Sequence, residues 1–89
     1  MLKIQQTRLD HESVAQIWKT SRNQWFSEQE ADLSAVKSCD SSAVALLVKW
    51  AQACQGRNQR LVCLDAPAML KSLVRMYGVE TLMEFKNNG

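Results

Sequence analysis

The stretch DLSAVKSCDSSAVALLVKW, residues 32–50, decides the fold because it contains a strand, a tight loop and a helix in immediate succession. A short strand is predicted around residues 31–36, and the loop that follows ends in Asp40, Ser41 and Ser42. Oxygen-bearing side chains at such a joint can accept hydrogen bonds from the backbone N–H groups that have no partner in the first turn of a helix. The stretch therefore predicts a strand that leads directly into a capped helix.

The helix predicted after this loop has a continuous apolar face and a defined end. One face is formed, at helical spacing, by Val44, Leu47, Val48 and Ala51. Ala45, Leu46 and Trp50 widen the apolar surface, and Trp50 lies off the main stripe. If one of the three tryptophans is exposed, we expect it to be Trp50. Gly56 and Asn58 supply the stop signal of this helix.

The segment before this stretch predicts a strand and a helix. Residues 2–9, LKIQQTRL, alternate weakly between apolar and polar side chains, as a half-buried strand does. Asp10 is a favourable N-cap, and Glu12 in the first turn suits the positive end of a helix. A helix of about 14 residues is predicted there, with one face formed by Val14, Ile17, Trp18, Ser21 and Trp25.

The segment after this stretch predicts a second strand–helix pair and a short ending. Residues 60–64, RLVCL, are a continuous apolar run of strand length and predict a buried, central strand. Asp65 is the expected N-cap of the next helix, Pro67 lies in its first turn, and Gly78 ends it. Residues 79–89, VETLMEFKNNG, predict a last short strand or terminal turn followed by a frayed tail.

The resulting order is β–α–β–α–β–α with a possible final strand. Short strands that alternate with helices are typical of an α/β fold in which a mixed or parallel sheet is backed by helices. With 89 residues the chain has room for one small domain, which we expect to span residues 1–89.

Composition excludes several classes of partner. Eleven Lys and Arg against nine Asp and Glu leave a net charge of +2, too even for a protein that binds nucleic acid electrostatically. No stretch approaches the ~18 consecutive apolar residues of a membrane span. The N-terminal segment has no apolar core of a secretory signal. We therefore expect a cytoplasmic protein without nucleic-acid binding and without direct membrane insertion.

The chemistry-bearing residue types are sparse. The three cysteines have spacings that match no zinc or redox motif, and we expect reduced thiols. His11 is the only histidine, so neither a metal site nor a Cys–His pair is predicted. Glycine-rich phosphate loops and the GxSxG motif are absent from the sequence. The sequence predicts no catalytic residue, no metal and no cofactor, and hence not an enzyme.

The loop Asp40-Ser41-Ser42 allows two interpretations from local sequence. In the first, Asp40 or Ser41 is an ordinary N-cap and nothing more. In the second, the loop is a docking point or a phosphorylation switch, because a phosphate on Ser41 would add nearly two negative charges directly beside Asp40. Helix-end stabilisation and repulsion from Asp40 are of similar size, so such a phosphate would change the surface far more than the fold.

Three segments resemble the STAS domain family, which includes bacterial anti-sigma-factor antagonists and the C-terminal regions of sulfate transporters. These segments are LDHESVAQIW (residues 9–18), the stretch 32–50, and RLVCLDAPAMLKSLVRMYGVETL (residues 60–82). The sequence is most similar to the MlaB-like subgroup, the small cytoplasmic STAS subunit of the Mla phospholipid-transport ABC system. The resemblance covers nearly the whole chain.

The resemblance implies roles for individual residues. The family motif is Asp-(Ser/Thr)-(Ser/Gly)-Gly, which puts Asp40 on the family aspartate and Ser41 on the phosphoacceptor of the antagonists. Asp10 matches the acidic residue in the loop before the family's first helix. Ala43 stands where the family usually has glycine. The family also usually has more strand before the Asp10 segment, so we expect an open sheet edge that a partner could cover.

Two functions follow from the resemblance as expectations. One is a regulatory subunit that docks on the ATPase subunit of a phospholipid-transporting ABC complex, peripheral to the inner membrane. The alternative is an anti-sigma-factor antagonist that binds a serine-kinase anti-sigma factor and is switched off by phosphorylation of Ser41. In both cases the expected partner-binding residues are Asp10, Asp40, Ser41, Ser42, Val44 and Trp50.

Overall fold

Strand segments and helical segments alternate along the chain in the predicted order, and each of the first three segments contains two elements. The structure is a computed structural model that describes residues 1–87. Its elements are β1 (Leu2–Lys3), β2 (Arg8–Leu9), α1 (His11–Thr20), α2 (Arg22–Phe26), β3 (Glu30–Asp32), β4 (Ser38–Cys39), α3 (Ser41–Gln55), β5 (Leu61–Leu64), α4 (Ala68–Met76), a 3₁₀ turn (Glu80–Leu82) and β6 (Met83–Lys86). The predicted α/β fold class is confirmed.

The strands form a four-stranded sheet and a separate strand pair. The sheet has the order β1-β3-β5-β6, and one row of aligned residues crosses it from Leu2 through Ala31 and Cys63 to Phe85. The second pair joins β2 to β4. All four strand pairings among residues 1–87 are parallel, so each connection between paired strands must cross over, and the helices provide those crossovers.

The helices and the sheet enclose one hydrophobic core. All four residues of β5 are buried, which confirms the prediction of a central buried strand. Cys63 of β5 packs in the same cluster as Leu47 of α3 and Val74 of α4, whereas Val62 and Leu64 are buried outside that cluster. Because neighbouring strand residues point to opposite faces, the helices cover the Cys63 face of the sheet.

The N-terminal elements are shorter than the sequence pattern predicts. The strand predicted over residues 2–9 is two short strands, and the helix of about 14 residues is broken at Ser21 between α1 and α2. Ser21 has non-helical backbone angles (φ −131°, ψ −2°). The Thr20 hydroxyl donates to the Gln16 carbonyl at 2.8 Å, and such side-chain bonds compete with regular helix.

The strand predicted around residues 31–36 is wrong beyond Asp32, because β3 is Glu30–Asp32 and the next strand, β4, begins only at Ser38. The buried Asp32 carboxylate accepts a hydrogen bond from the backbone N–H of Ser34 at 3.0 Å. The N–H of Val36 donates to the Leu33 carbonyl at 3.1 Å. These two bonds close a turn directly after Asp32, because an aspartate that accepts from the backbone two residues ahead stabilises a turn.

The start of α4 differs from the prediction, whereas its end agrees. The expectation that Asp65 is the N-cap is wrong, since α4 begins at Ala68 directly after Pro67. The N–H of Asp65 donates instead to the Lys86 carbonyl of β6 at 2.9 Å, which holds Asp65 at the sheet. Gly78 ends the helix with a φ of +71°, and β6 is the predicted last strand. Of the predicted frayed tail, residues 88–89 lie outside the described residues.

Candidate docking site

Two parallel strand–helix units bring two helix N-termini together. In the β2–β4 pair Leu9 lies beside Cys39, and the N–H of Asp40 donates to the Leu9 carbonyl at 3.2 Å. The residues that follow these strands, Asp10 and Asp40, are the N-caps of α1 and α3. The pairing therefore places both caps and both first turns side by side.

Asp10 caps α1 in a reciprocal arrangement with Ser13. The Asp10 carboxylate accepts from the Ser13 N–H at 3.0 Å, and the Ser13 hydroxyl oxygen accepts from the Asp10 N–H at 3.0 Å. The hydrogen bond from the Ser13 backbone lowers the pKa of Asp10 from 3.8, and Arg8 at 3.6 Å acts in the same direction. Asp10 is thus a local structural cap.

Asp40 caps two helices at once. One carboxylate oxygen accepts from the Ser42 N–H of its own helix at 2.8 Å. The other oxygen accepts from the His11 N–H of α1 at 3.0 Å, although the two residues are 29 positions apart in sequence. Because one rigid carboxylate holds both first turns, Asp40 fixes the start of α1 relative to the start of α3.

Ser41 lies on the surface immediately beyond this double cap. Asp40 supplies the cap of α3, and the Ser41 side chain is exposed. Ser42 is half-buried, and Val44 is buried with 5% of its surface exposed. Ala43 is fully buried within the first turn of α3. Ser41 is therefore the member of the predicted loop that a partner or a kinase can reach most directly.

The exposed face of α3 is a narrow ridge with a groove on either side. Ser41, Ala45 and Lys49 are exposed and lie four residues apart, so they form one line along the helix, here named the α3 ridge. The α1–α3 groove has a volume of about 410 Å³, and the groove on the other side, the α3–α4 groove, has a volume of about 470 Å³. Ala45 and Lys49 line both.

The two grooves have different walls. The α1–α3 groove is bounded by residues of both helices, which are His11, Val14, Ala15, Trp18, Lys19, Ser42, Ala45, Leu46 and Lys49. The α3–α4 groove includes Ser41 and Val44 of α3, and Tyr77 and Val79 that follow α4. The predicted residues Ser41, Ser42 and Val44 therefore all contribute to this surface.

Trp50 does not belong to that surface, and the expectation that it is the exposed tryptophan is wrong. Its side chain is fully buried, and its indole N–H donates to the Glu28 carbonyl at 2.8 Å. The ring packs against Trp25 at 5.6 Å and Phe26 at 6.2 Å between centroids. Trp50 is buried because α2 packs against the side of α3 that carries it. The buried surface of α3 is therefore wider than the single apolar face that the sequence predicts. Direct contact between Trp50 and a partner is excluded in this conformation.

Trp18 is the exposed tryptophan, with 37% of its surface accessible. It forms a wall of the α1–α3 groove. The Arg22 guanidinium lies 4.9 Å from the centroid of its ring, and the Phe26 ring makes an edge-to-face contact with it at 5.8 Å between centroids. A cation over the ring face and an edge-to-face aromatic contact hold Trp18 in one orientation.

Sequence reasoning missed Lys49, Lys19 and Trp18 as surface residues of this site. The sequence does indicate the ridge, because Ser41, Ala45 and Lys49 lie four residues apart on the side of the helix opposite its apolar face. The contribution of α1 had no such signal, because it depends on the pairing of β2 with β4.

Cys39 precedes the double cap, and burial together with the Asp40 charge raises the pKa of its thiol, which keeps it protonated at neutral pH. Within residues 1–87, no three His, Cys, Asp or Glu side chains are grouped so that they could hold a metal ion. No helix in the same range is long and apolar enough to cross a membrane.

The structure is a parallel α/β domain with helices over one sheet face and a capped, exposed strand-to-helix loop. The family model described as "Mlab, STAS domain" matches residues 5–84, so the chain belongs to the STAS domain family and to its MlaB-like branch. A search of curated proteins finds none that matches. The family assignment supports a general role in protein interaction or regulation.

Proposed function

We propose that this protein is a non-enzymatic subunit that docks, through the α3 ridge and its two grooves, on the ATPase subunit of a phospholipid-transporting ABC complex. In this proposal the protein acts in the cytoplasm, peripheral to the inner membrane through its partner, and contributes to maintenance of outer-membrane lipid asymmetry. The match to the MlaB-like family model supports this partner class.

One observation carries the docking surface. Ser41, which matches the family phosphoacceptor, is exposed at the start of a ridge flanked by two grooves with apolar walls. Concave apolar surface beside a few polar groups is where a partner gains most from removing water. The Asp40 double cap holds the two helices that form one of these grooves. Asp10 and Asp40 therefore act in this proposal by positioning the helices.

The alternative function is that of an anti-sigma-factor antagonist that binds a serine kinase and is switched by phosphorylation of Ser41. The exposed hydroxyl of Ser41 favours it, because a kinase needs access to the acceptor. Ala43 stands where the family usually has glycine, but it lies in regular helix where no glycine conformation is required, so this difference does not separate the two functions.

The test measures affinity for the co-purified ATPase subunit with Ser41→Glu, Ser41→Ala and the matched control Ser72→Glu. Ser72 is an exposed serine of α4 that lines neither groove. Ser41→Glu places a second carboxylate beside Asp40 in a contact that must lose water, so we expect binding at least about tenfold weaker. Ser41→Ala and Ser72→Glu should bind like the wild type.

Three results would decide against parts of the proposal. Equal affinity of the wild type and a folded Ser41→Glu variant removes the loop from the interface. Binding of a serine kinase, with phosphate transfer to Ser41 and no binding to the ATPase subunit, favours the antagonist. Turnover of ATP or of a phosphoester by the purified protein, abolished by a single substitution, contradicts a non-enzymatic role.

A further inference from the structure

We infer that the partner segment that fills the α1–α3 groove is an acidic amphipathic helix, with apolar side chains on the groove floor and carboxylates against Lys19 and Lys49. This inference rests on the proposed function and specifies the chemistry of the partner at the same site. It also predicts why a negative charge on Ser41 would release the partner.

The groove is lined largely by apolar side chains, which include the half-buried Val14 and the buried Leu46. Ala15 of α1 and Ala45 of α3 are exposed residues that line it, and neither has a side chain beyond Cβ. Two small residues allow another helix to approach closely. Trp18, which contacts Arg22 and Phe26, forms an aromatic wall of the groove. A helix that lays an apolar face into a groove is a common mode of peptide recognition.

The length of the groove suits about two turns of a helix. Both helices start at the Asp40 carboxylate, which accepts from the N–H of His11 and of Ser42, so the groove between them begins at this shared end. From His11 to Lys19 the wall advances by about 12 Å along α1. Two turns of a partner helix span about 11 Å and present apolar side chains at positions i, i+3, i+4 and i+7.

The charged groups that line the groove have one sign. Lys19 and Lys49 are exposed and line it, and neither forms an ion pair within residues 1–87. In the same described range, no carboxylate lines this groove. The carboxylates of the N-caps Asp10 and Asp40 accept hydrogen bonds from backbone N–H groups at the end of the groove where both helices begin. Such a rim attracts carboxylates and disfavours a basic partner.

The same charge argument extends to Ser41 on the neighbouring side of the ridge. Ser42, Ala45 and Lys49 of α3 all line the α1–α3 groove, so an acidic partner helix that fills the groove passes next to Ser41. A phosphate or a glutamate at position 41 then weakens binding in two ways, because it repels the acidic partner and because the added charge must itself lose water in the contact. Docking should therefore weaken with salt, because charge pairs at an interface rim are screened.

The first experiment uses a defined probe instead of the natural partner. A helical peptide of about 14 residues with leucines on one face and glutamates beside them is compared with the same peptide carrying lysines. Binding is read from the fluorescence of Trp18, with Trp18→Phe to identify its share of the signal among the three tryptophans. We expect only the acidic peptide to bind, and its affinity to fall about tenfold or more in Lys49→Glu and Lys19→Glu.

Lys37→Glu is the matched control, because Lys37 is an exposed lysine that lines neither groove. Equal binding of the acidic and basic peptides, no binding of either, or an unchanged affinity in folded Lys49→Glu overturns the inference. Vesicles of equal parts phosphatidylglycerol and phosphatidylcholine provide a further arm. If they change the Trp18 signal and the acidic peptide does not, the groove binds lipid and the inference is wrong.

The second experiment separates this inference from the proposed function. The ATPase subunit is titrated with the wild type, Ser41→Glu and Lys49→Glu at about 50 mM and about 500 mM salt. If Ser41→Glu weakens binding while Lys49→Glu and salt have no effect, the docking proposal stands and the acidic-helix inference fails. If the acidic peptide binds and the ATPase subunit does not, the groove chemistry stands and the ATPase assignment fails.

Discussion

The double cap by Asp40 predicts a specific loss of stability that an ordinary N-cap would not give. Asp40→Ala removes the bond to the Ser42 N–H at 2.8 Å and the bond to the His11 N–H at 3.0 Å. Loss of an N-cap side chain costs about 1 kcal/mol. The second bond contributes about 0.5–1.5 kcal/mol. We therefore expect Asp40→Ala to lower the free energy of unfolding by about 2 kcal/mol, or the melting temperature by about 8–16 °C for a domain of this size.

Asp40→Asn separates the two bonds. An asparagine retains one oxygen for the Ser42 N–H and is as good an N-cap as aspartate. Its amide NH₂ takes the place of the second oxygen and cannot accept from His11. We expect Asp40→Asn to lose only the bond to His11, about 0.5–1.5 kcal/mol, and to lie between the wild type and Asp40→Ala.

The measurements are urea unfolding followed by circular dichroism and amide hydrogen exchange. Ser41→Ala is the control, because an exposed side chain that supplies no cap should change stability by less than about 0.5 kcal/mol. In Asp40→Asn the His11 amide should exchange faster while the Ser42 amide stays protected. The reasoning is refuted if Asp40→Ala is no less stable than Ser41→Ala, or if the His11 amide is unaffected in both Asp40 variants.

Three further predictions concern a core tryptophan, two cysteine thiols and the Asp10 cap. Trp50→Phe removes the indole donor to the Glu28 carbonyl and opens a cavity, so urea unfolding should show a loss of about 2–4 kcal/mol, and a loss under about 1 kcal/mol would contradict its buried role. Burial raises the pKa of Cys63 to about 12. In the native protein a thiol reagent at about pH 8 should therefore label the half-buried Cys39 much faster than Cys63. Faster labelling of Cys63 would disprove the burial of its thiol. The hydrogen bond from the Ser13 backbone lowers the pKa of Asp10 from 3.8, so the contribution of the Asp10 carboxylate to stability is present above pH 3.8 and is lost as the pH falls below it. Asp10→Asn does not titrate and should therefore flatten the pH dependence of urea unfolding in that range. An unchanged pH dependence in Asp10→Asn would count against this role of Asp10.

Local patterns predict the elements whose causes lie within a few residues. Asp10 caps α1 as expected, and of the two candidates for α3, Asp40 and Ser41, the cap is Asp40, because a short acceptor side chain precedes each helix. Gly78 ends α4 because its φ of +71° is accessible to glycine without strain. The apolar run of β5 indicates a strand buried on both faces, and all four of its residues are buried.

Local patterns fail where distant segments compete for the same group. Asp65 is of a residue type that is favourable at an N-cap, yet its N–H donates to the carbonyl of Lys86, 21 positions later, and the helix starts only after Pro67. The helix through Ser21 has continuous apolar spacing, yet it breaks there and turns Trp25 into the core against Trp50. In both cases tertiary contacts outweigh intrinsic propensity.

The sequence by itself determined the α/β class, the cap of α1, the choice of Asp40 or Ser41 as the cap of α3, and the location of the Asp40-Ser41-Ser42 loop, because hydrophobic period and capping chemistry act over three or four residues. Tertiary structure alone decided that Asp40 also holds His11, that Trp50 is buried while Trp18 is exposed, and that Lys19 and Lys49 share one groove. Those features depend on the parallel pairing of β2 with β4, which aligns segments 30 residues apart. No local pattern encodes the relative position of two helices, so the candidate docking surface exists only once the strands have paired.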